Sequence, residues 1–152
     1  MDDITRYRKC GWDFDQVLWE HEHSRLFWNY ILTNPHQQEH FIITFRTGRL
    51  FDRIWYDLGR ANCPLLAFHF RGVFGVPEQV YNDFVLGLVG GDRYLFWKGE
   101  QCAELGIELL IDDATMEVFA GCSRYGIDYL HPDQISTESL VCRQNIWRRS
   151  RR

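Results

Sequence analysis

Residues 40–45 read HFIITF, and this run of apolar, β-branched and aromatic side chains decides the fold class of the 152-residue chain. Such a run, closed by Thr47 and Gly48, is typical of a strand that is buried on both faces, as strands of parallel sheets are. Four further stretches are interpreted as strands, namely residues 7–12 (YRKCGW), 64–70 (PLLAFHF), 107–111 (IELLI) and 127–130 (IDYL). We therefore expect five strands in one sheet.

The segments between these strands have the apolar spacing of amphipathic helices. We predict helices over residues 18–33, 50–60, 98–105 and 115–125, and one that begins at Pro77 and runs to the Gly90-Gly91 break. Alternating strands and helices favour a parallel sheet with right-handed crossovers. The predicted fold class is α/β, a Rossmann-like three-layer α/β/α arrangement with a five-stranded, mainly parallel sheet. Ligands of such folds bind at the carboxyl ends of the strands.

Length and composition predict one globular domain and exclude other classes of protein. Hydrophobic residues make up 45% of the chain, too many for a disordered segment. No apolar run approaches the ~20 residues that a membrane span needs. The formal net charge of −4 does not favour binding to nucleic acid or to an anionic membrane. We assign residues 1–142 to the domain and residues 143–152 to a basic tail.

The basic tail and the cysteines bear on partners and location. A tail of this kind is often simply solvated, but it could also contact a polyanion such as nucleic acid. Its basic residues are Arg143, Arg148, Arg149, Arg151 and Arg152. The five cysteines are scattered, no CxxC motif occurs, and no signal-peptide segment follows the charged start. Reduced thiols in a cytoplasmic protein are the expectation.

Two acids follow the first predicted strand in the sequence Asp13-Phe14-Asp15. Residues two apart in an extended segment project to the same side, so both carboxylates can face one small volume. There they can bind a hard divalent cation and divide nucleophilic and acid/base roles between them. A pair of acids at the end of a strand can equally cap the next helix.

Thr44 and Arg46 lie at the end of the strand predicted over residues 40–45. The hydroxyl of Thr44 and the backbone amides behind it could hold phosphate oxygens, although threonine is also an ordinary strand residue. Arg46, with Arg49 nearby, could contact a second phosphate or a substrate carboxylate.

Lys98 and the Asp112-Asp113 pair complete the set of polar candidates. Lys98 is expected at the opening of a helix, where its charge opposes the helix dipole and an ammonium aimed at a carboxylate–phosphate centre would be useful. Asp112 and Asp113 follow the apolar run of residues 107–111. Consecutive acids at the mouth of a parallel sheet repel each other unless they are solvated or share a metal ion.

Taken in order, these features resemble the four motifs of the haloacid dehalogenase (HAD) superfamily over residues 7–130. DFDQVL resembles the first motif, Thr44 the second, Lys98 the third and Asp112-Asp113 the fourth. The resemblance implies a phosphatase, that is, a phosphoric monoester hydrolase that depends on Mg²⁺. Gln16 departs from the pattern, because many members have glycine there, and it predicts a turn of different shape.

The resemblance also implies a role for each matching residue. Asp13 would attack phosphorus and form an aspartyl-phosphate, and Asp15 would act as general acid and then as general base. Mg²⁺ would be held by Asp13, by Asp15 through its backbone carbonyl, and by one of the two adjacent acids, with Asp113 favoured. Thr44 and Lys98 would bind the phosphoryl oxygens.

The spacing between the motifs leaves no room for a full cap domain, so the resemblance is to capless members. Their open sites suit bulky or macromolecular substrates, or are closed by a neighbouring subunit of a homo-oligomer. Four tryptophans could form such a self-association face or could pack in the core: Trp19, Trp28, Trp55 and Trp97.

Two functions from different classes follow from the sequence. The leading hypothesis is a phosphomonoesterase that acts on a nucleotide, a phosphosugar or a polymer terminus such as a nucleic-acid end. The alternative is a catalytically weak HAD-like module for binding or regulation. The presence of Asp13, Asp15, Lys98 and Asp113 favours the enzyme.

Overall fold

A five-stranded parallel sheet forms the centre of the fold. The computed structural model describes residues 3–141, so the basic tail predicted over residues 143–152 lies outside the described residues. The strands are β1 (Lys9–Trp12), β2 (Glu39–Thr44), β3 (Gly72–Gly75), β4 (Leu109–Ile111) and β5 (Asp128–Leu130). Their order in the sheet is β3-β2-β1-β4-β5, and every pairing is parallel.

Helices cover both faces of the sheet. The α-helices are α1 (Ser24–Thr33), α2 (Gly48–Asp52), α3 (Ile54–Arg60), α4 (Glu78–Val85), α5 (Arg93–Leu105), α6 (Thr115–Tyr125) and α7 (Thr137–Val141). Successive strand residues point to opposite faces, so Ile42 joins an apolar cluster with residues of α1 and α3, whereas Ile43 joins a cluster with residues of α4, α5 and α6. The predicted Rossmann-like α/β fold of three layers is confirmed, and within residues 3–141 no full cap domain interrupts it.

The third strand lies further along the chain than the sequence suggests. Residues 64–70 were predicted as a buried strand, which is wrong: they form an irregular segment with a 3₁₀ turn at Ala67–His69, and Phe68 is 77% exposed. The strand at this place is β3, which pairs with β2 from Phe41–Gly72 to Thr44–Gly75. Pairing with β2 therefore selects a glycine-containing segment over a more apolar one.

Two predicted helix starts are also wrong. The helix predicted from residue 98 begins at Arg93, so Lys98 lies inside α5 and not at its opening. The helix predicted from residue 18 begins at Ser24, because the preceding residues form a tight loop in which the Trp19 amide donates to the Phe14 carbonyl. The helix predicted over residues 115–125 is confirmed as α6.

Helices α5 and α6 approach each other closely at two glycines. A side chain at Gly99 would collide with the backbone of Gly121 on the facing helix. Only glycine at position 99 allows this separation, and a Cβ at Gly121 would also be tight, 3.0 Å from backbone atoms of Phe96. The contact fixes the height of α5 against the sheet and, with it, the position of Lys98, the neighbour of Gly99.

Cysteines, tryptophans and hydropathy complete the description of the domain. The described cysteines (Cys10, Cys63, Cys102 and Cys122) are all free, as expected. The four tryptophans singled out above all contact the two apolar clusters, which accounts for them as core residues. No helix within residues 3–141 combines the length and the apolar character needed to cross a bilayer.

Candidate functional site

Three acids and one lysine meet at the carboxyl ends of β1 and β4. Asp13 directly follows β1, where its amide donates to the Ile111 carbonyl, and Asp112 and Asp113 directly follow β4. Lys98 reaches them from α5: its Nζ donates to Asp13 Oδ1 at 2.8 Å and to Asp112 Oδ2 at 2.5 Å. We call these four residues the inner centre.

Three residues of the inner centre, Asp13, Lys98 and Asp112, are shielded from water, whereas Asp113 is half-buried. Lys98 is 1% exposed and Asp112 is 0% exposed. Burial, followed by repulsion from Asp112, raises the pKa of Asp13 well above its ordinary value, although Lys98 opposes the shift. Burial by itself would lower the pKa of Lys98, but attraction to Asp112 and Asp13 outweighs it, so the net shift is upward. The ammonium also lies 4.2 Å from the centroid of the Phe45 ring, which favours the charged form.

The donor atoms of the inner centre fit a hard divalent cation. One carboxylate oxygen from each of Asp13, Asp112 and Asp113 lies within 4.8 Å of the others. Three ionised carboxylates against one ammonium leave a formal charge of −2, and Mg²⁺ prefers such oxygen ligands. Both oxygens of Asp112 already accept hydrogen bonds, from Lys98 and from the Ala114 amide. Asp113 has no ion pair within the described chain, so it is the more available ligand.

A second charged cluster, the outer centre, consists of Asp15, Arg46 and Asp57. Arg46 donates to both oxygens of Asp15, at 2.9 Å from Nε and 2.8 Å from Nη2. It also donates from Nη1 to Asp57 Oδ2 at 2.7 Å. The guanidinium lies over the rings of Phe14 and Trp19, 4.4 Å and 5.0 Å from their centroids. Arg46 is therefore fixed by two carboxylates and two aromatic faces.

This arrangement holds Asp15 apart from the inner centre. Both of its oxygens accept from Arg46, although the Asp15 side chain remains 45% exposed. Each carboxylate oxygen has a second lone pair, so the two contacts with Arg46 fix the orientation of Asp15 and leave its outer side open to solvent. Arg46 itself was expected to meet substrate, but in this conformation its donors face Asp15, Asp57 and the Leu50 carbonyl.

Thr44 is the last residue of β2 and is fully buried. Its Oγ1 accepts from the Arg46 amide at 3.0 Å. Within residues 3–141, no acceptor lies within hydrogen-bond distance of the hydroxyl proton. Thr44 therefore retains a donor that an anion could use.

The sequence-predicted residues thus fall into two groups. Asp13, Lys98, Asp112 and Asp113 meet directly, whereas Asp15 pairs with Arg46, and Thr44 contacts the backbone of Arg46. Sequence reasoning missed Asp57 and Phe45. Asp57 lies in a segment that was correctly predicted as helical, but nothing in the spacing links it to Arg46, eleven residues earlier.

Comparison with known proteins gives a likeness of fold. No protein-family model and no curated protein matches the sequence. The chain is similar to a solved structure of an uncharacterized protein from Corynebacterium glutamicum ATCC 13032 Kitasato, with a TM-score of 0.51 and 15% sequence identity. The similarity covers 89% of this chain and 90% of that chain. It concerns the architecture alone.

Proposed function

We propose that this chain is a Mg²⁺-dependent phosphomonoesterase of the HAD type, with Asp13 as its nucleophile. The observation that carries the proposal is the inner centre, in which Lys98 contacts both Asp13 and Asp112, 85 and 14 residues away in sequence. A buried ammonium between carboxylates, at the ligand-binding edge of a parallel sheet, suits a phosphate monoester.

In the proposed reaction, two displacements take place at phosphorus. An oxygen of Asp13 attacks phosphorus while the bond to the leaving oxygen breaks, and Asp15 gives that oxygen a proton. Water then attacks the phosphorus of the aspartyl-phosphate while the bond from phosphorus to the Asp13 oxygen breaks, which frees the Asp13 carboxylate and releases inorganic phosphate, and Asp15 takes the proton of the water. Lys98 orients Asp13 and offsets charge on the phosphoryl oxygens, and Thr44 donates to one of them.

Mg²⁺ held by Asp13, Asp113 and the Asp15 backbone carbonyl would reduce the repulsion between the carboxylates and the phosphate dianion. Asp112 completes the acidic set beside it and keeps Lys98 in place through its Oδ2. The charge of −2 on the ionised inner centre supports a divalent ion, because unpaired buried carboxylates are costly.

The replacement Asp13→Asn tests the nucleophile. We expect hydrolysis of p-nitrophenyl phosphate to fall at least about 10³-fold, because an amide cannot form the aspartyl-phosphate. Release of p-nitrophenol is measured against a Mg²⁺ titration, and circular dichroism checks the fold. The matched control is Asp52→Asn, at an exposed acid of α2. An Asp13→Asn protein as fast as the wild type would refute the assignment.

A second candidate is a HAD-like module that binds or senses a phosphate without turnover. The pairing of both Asp15 oxygens with Arg46 favours it, since that pairing stabilises the carboxylate form of the residue that turnover needs as a proton donor. The p-nitrophenyl phosphate assay, combined with calorimetry, separates the two functions. The module predicts calorimetric binding of inorganic phosphate by the wild type with no release of p-nitrophenol at any Mg²⁺ concentration.

The proposed substrates are phosphorylated small molecules, such as nucleotides and phosphosugars, and polymer ends, including those of nucleic acid. The cytoplasmic location, the homo-oligomer and the contact of the basic tail with nucleic acid stay predictions from the sequence.

A further inference from the structure

A cavity of about 590 Å³ opens beside the outer centre. Its walls include the whole outer centre together with Trp19, Arg53 and Arg60. Asp15 is thus both the proposed proton donor and part of the wall. Since the proton goes to the leaving oxygen, whatever is attached to that oxygen lies towards this cavity.

The charges around the cavity do not cancel. Three arginines (Arg46, Arg53 and Arg60) line the cavity together with two acids, Asp15 and Asp57, which are both already bound by Arg46. The guanidinium groups of Arg53 and Arg60 also lie near the Tyr56 ring, 5.5 Å and 6.0 Å from its centroid. Arg53 also pairs with Asp57, with 3.4 Å between Arg53 Nη2 and Asp57 Oδ1, and the Arg53 side chain is 55% exposed. Arg60 forms no ion pair with any residue in the described part of the chain. One positive charge is therefore left over, in a protein with a net charge of −4.

We propose that the cavity binds the leaving group of the substrate and that this group carries a second anion, a carboxylate or another phosphate, held by Arg53 and Arg60. The inference rests on the proposed function and names the substrate class of the same site. The Trp19 ring supplies an apolar wall for the carbon part of the leaving group. Arginine recognises carboxylates and phosphates through the same paired N–H donors.

The sequence suggested Arg46 and Arg49 as contacts for a second anion, and the proposal assigns this role to Arg53 and Arg60 instead. Arg46 is occupied by its two carboxylates, and Arg49 is exposed on α2 and does not line the cavity. Arg49 therefore serves as a matched control, since it is an arginine on a neighbouring turn with the same charge.

Two esters that differ by one carboxylate test the proposal: phenyl phosphate and 4-carboxyphenyl phosphate. The wild type, Arg53→Gln/Arg60→Gln and Arg49→Gln are compared by kcat/KM for both esters with Mg²⁺. We expect the double variant to lose roughly tenfold more on 4-carboxyphenyl phosphate than on phenyl phosphate, the effect of losing a charge-assisted contact. Arg49→Gln should leave the ratio of the two values unchanged.

Equal losses on both esters, or the same loss of selectivity in Arg49→Gln, would overturn the proposal. Calorimetric titration of both esters into Asp13→Asn, with and without the two arginine replacements, separates this inference from the proposed function. If the wild type hydrolyses neither ester, the proposed function fails. The calorimetric titrations then test by themselves whether the cavity binds the second anion. The proposal is supported if 4-carboxyphenyl phosphate binds more tightly than phenyl phosphate and if this preference is lost when Arg53 and Arg60 are replaced. Equal binding of the two esters, or no binding, overturns the proposal.

Discussion

The inner and outer centres each place one basic side chain between two carboxylates, but they do so in different surroundings. Lys98 is buried, and its single side-chain nitrogen, Nζ, contacts both Asp13 and Asp112. Arg46 uses three nitrogen atoms for Asp15 and Asp57, and one of these partners, Asp15, is 45% exposed. An ammonium is a compact point charge, whereas a guanidinium is a planar fork that fixes the orientation of its partner.

This difference suggests that the two centres have different roles. The inner centre sets three carboxylates against one ammonium and is largely buried, so it is suited to a further cation. The outer centre is close to electrically balanced when Arg53 is included, and it fixes the position of Asp15 instead. In the proposed reaction, the first centre would neutralise charge at phosphorus and the second would control the position of the proton donor.

The largest expected effect comes from removing the buried ammonium. Lys98→Met leaves three carboxylates without their internal cation, and we expect the free energy of unfolding to fall by about 3–5 kcal/mol. Arg46→Met should cost less, about 1–3 kcal/mol, because water can solvate Asp15. Urea unfolding measures both losses. Mg²⁺ should restore part of the loss in Lys98→Met only, and equal restoration in Arg46→Met would contradict the distinction between the centres.

The pH dependence of folding contains a contribution from His40, which lies outside both centres. Burial lowers the pKa of His40 to about 4, and its Nδ1 accepts from Trp12 Nε1 at 3.0 Å. The unfolded chain, with an ordinary pKa near 6.5, binds this proton first, so stability is lost as the pH falls below about 6.5.

Between about pH 7 and pH 4.5 this loss amounts to about 2–3 kcal/mol. His40→Gln removes the titration, and its urea midpoints should therefore vary less over this range than those of the wild type. Parallel curves for the two proteins would show that His40 is not the group responsible. Subtracting this contribution isolates the pH effects of the two centres.

Asp57→Asn tests the outer centre alone. The replacement keeps the size of the side chain and removes its charge, so that only Asp15 offsets Arg46. We expect kcat/KM for p-nitrophenyl phosphate to fall about tenfold and its pH–rate profile to move, because the proposed proton donor is held differently. Asp52→Asn, on the adjacent helix, should change neither. A loss of activity with an unmoved profile would indicate a structural role only.

The smallest effect concerns the loop that joins the two centres. Gln16 has φ of 59°, in the left-handed region that favours glycine. Gln16→Gly should raise the free energy of unfolding by up to about 1 kcal/mol, because it relieves this strain. Gln16→Ala keeps the strain and should bring no gain. Thermal denaturation of both variants checks the sign, and a gain in the alanine variant would exclude backbone strain as the cause.

Local patterns were sufficient to predict four of the five strands and the acids that follow β1 and β4. The runs in residues 40–45 and 107–111 contain β2 and β4, which are buried on both faces, and the apolar composition of the two runs indicates this burial. The acids that follow β1 and β4 could be placed together because the carboxyl ends of parallel strands share one edge. The turn at Gln16 was also expected to differ, and its positive φ shows how the chain forms it without glycine.

What the sequence did not predict depends on contacts between distant elements. Residues 64–70 are more apolar than β3, but β3 is selected by its pairing with β2. Lys98 could be proposed from the sequence as a group that binds phosphate. Its side chain reaches the site from the middle of α5, however, and this depends on how α5 packs against the sheet and α6. The link between Arg46 and Asp57 crosses a break between helices at Arg53, where no periodicity connects the two residues.

The close approach of Gly99 and Gly121 has a consequence for how the inner centre comes apart on heating. Lys98 is held by a closely packed helix pair and not by a loop, so we do not expect it to move away gradually as the temperature rises. We expect the contact between Lys98 and its acids to persist until α5 and α6 separate, which makes the loss of the inner centre an abrupt event that coincides with unfolding of the domain.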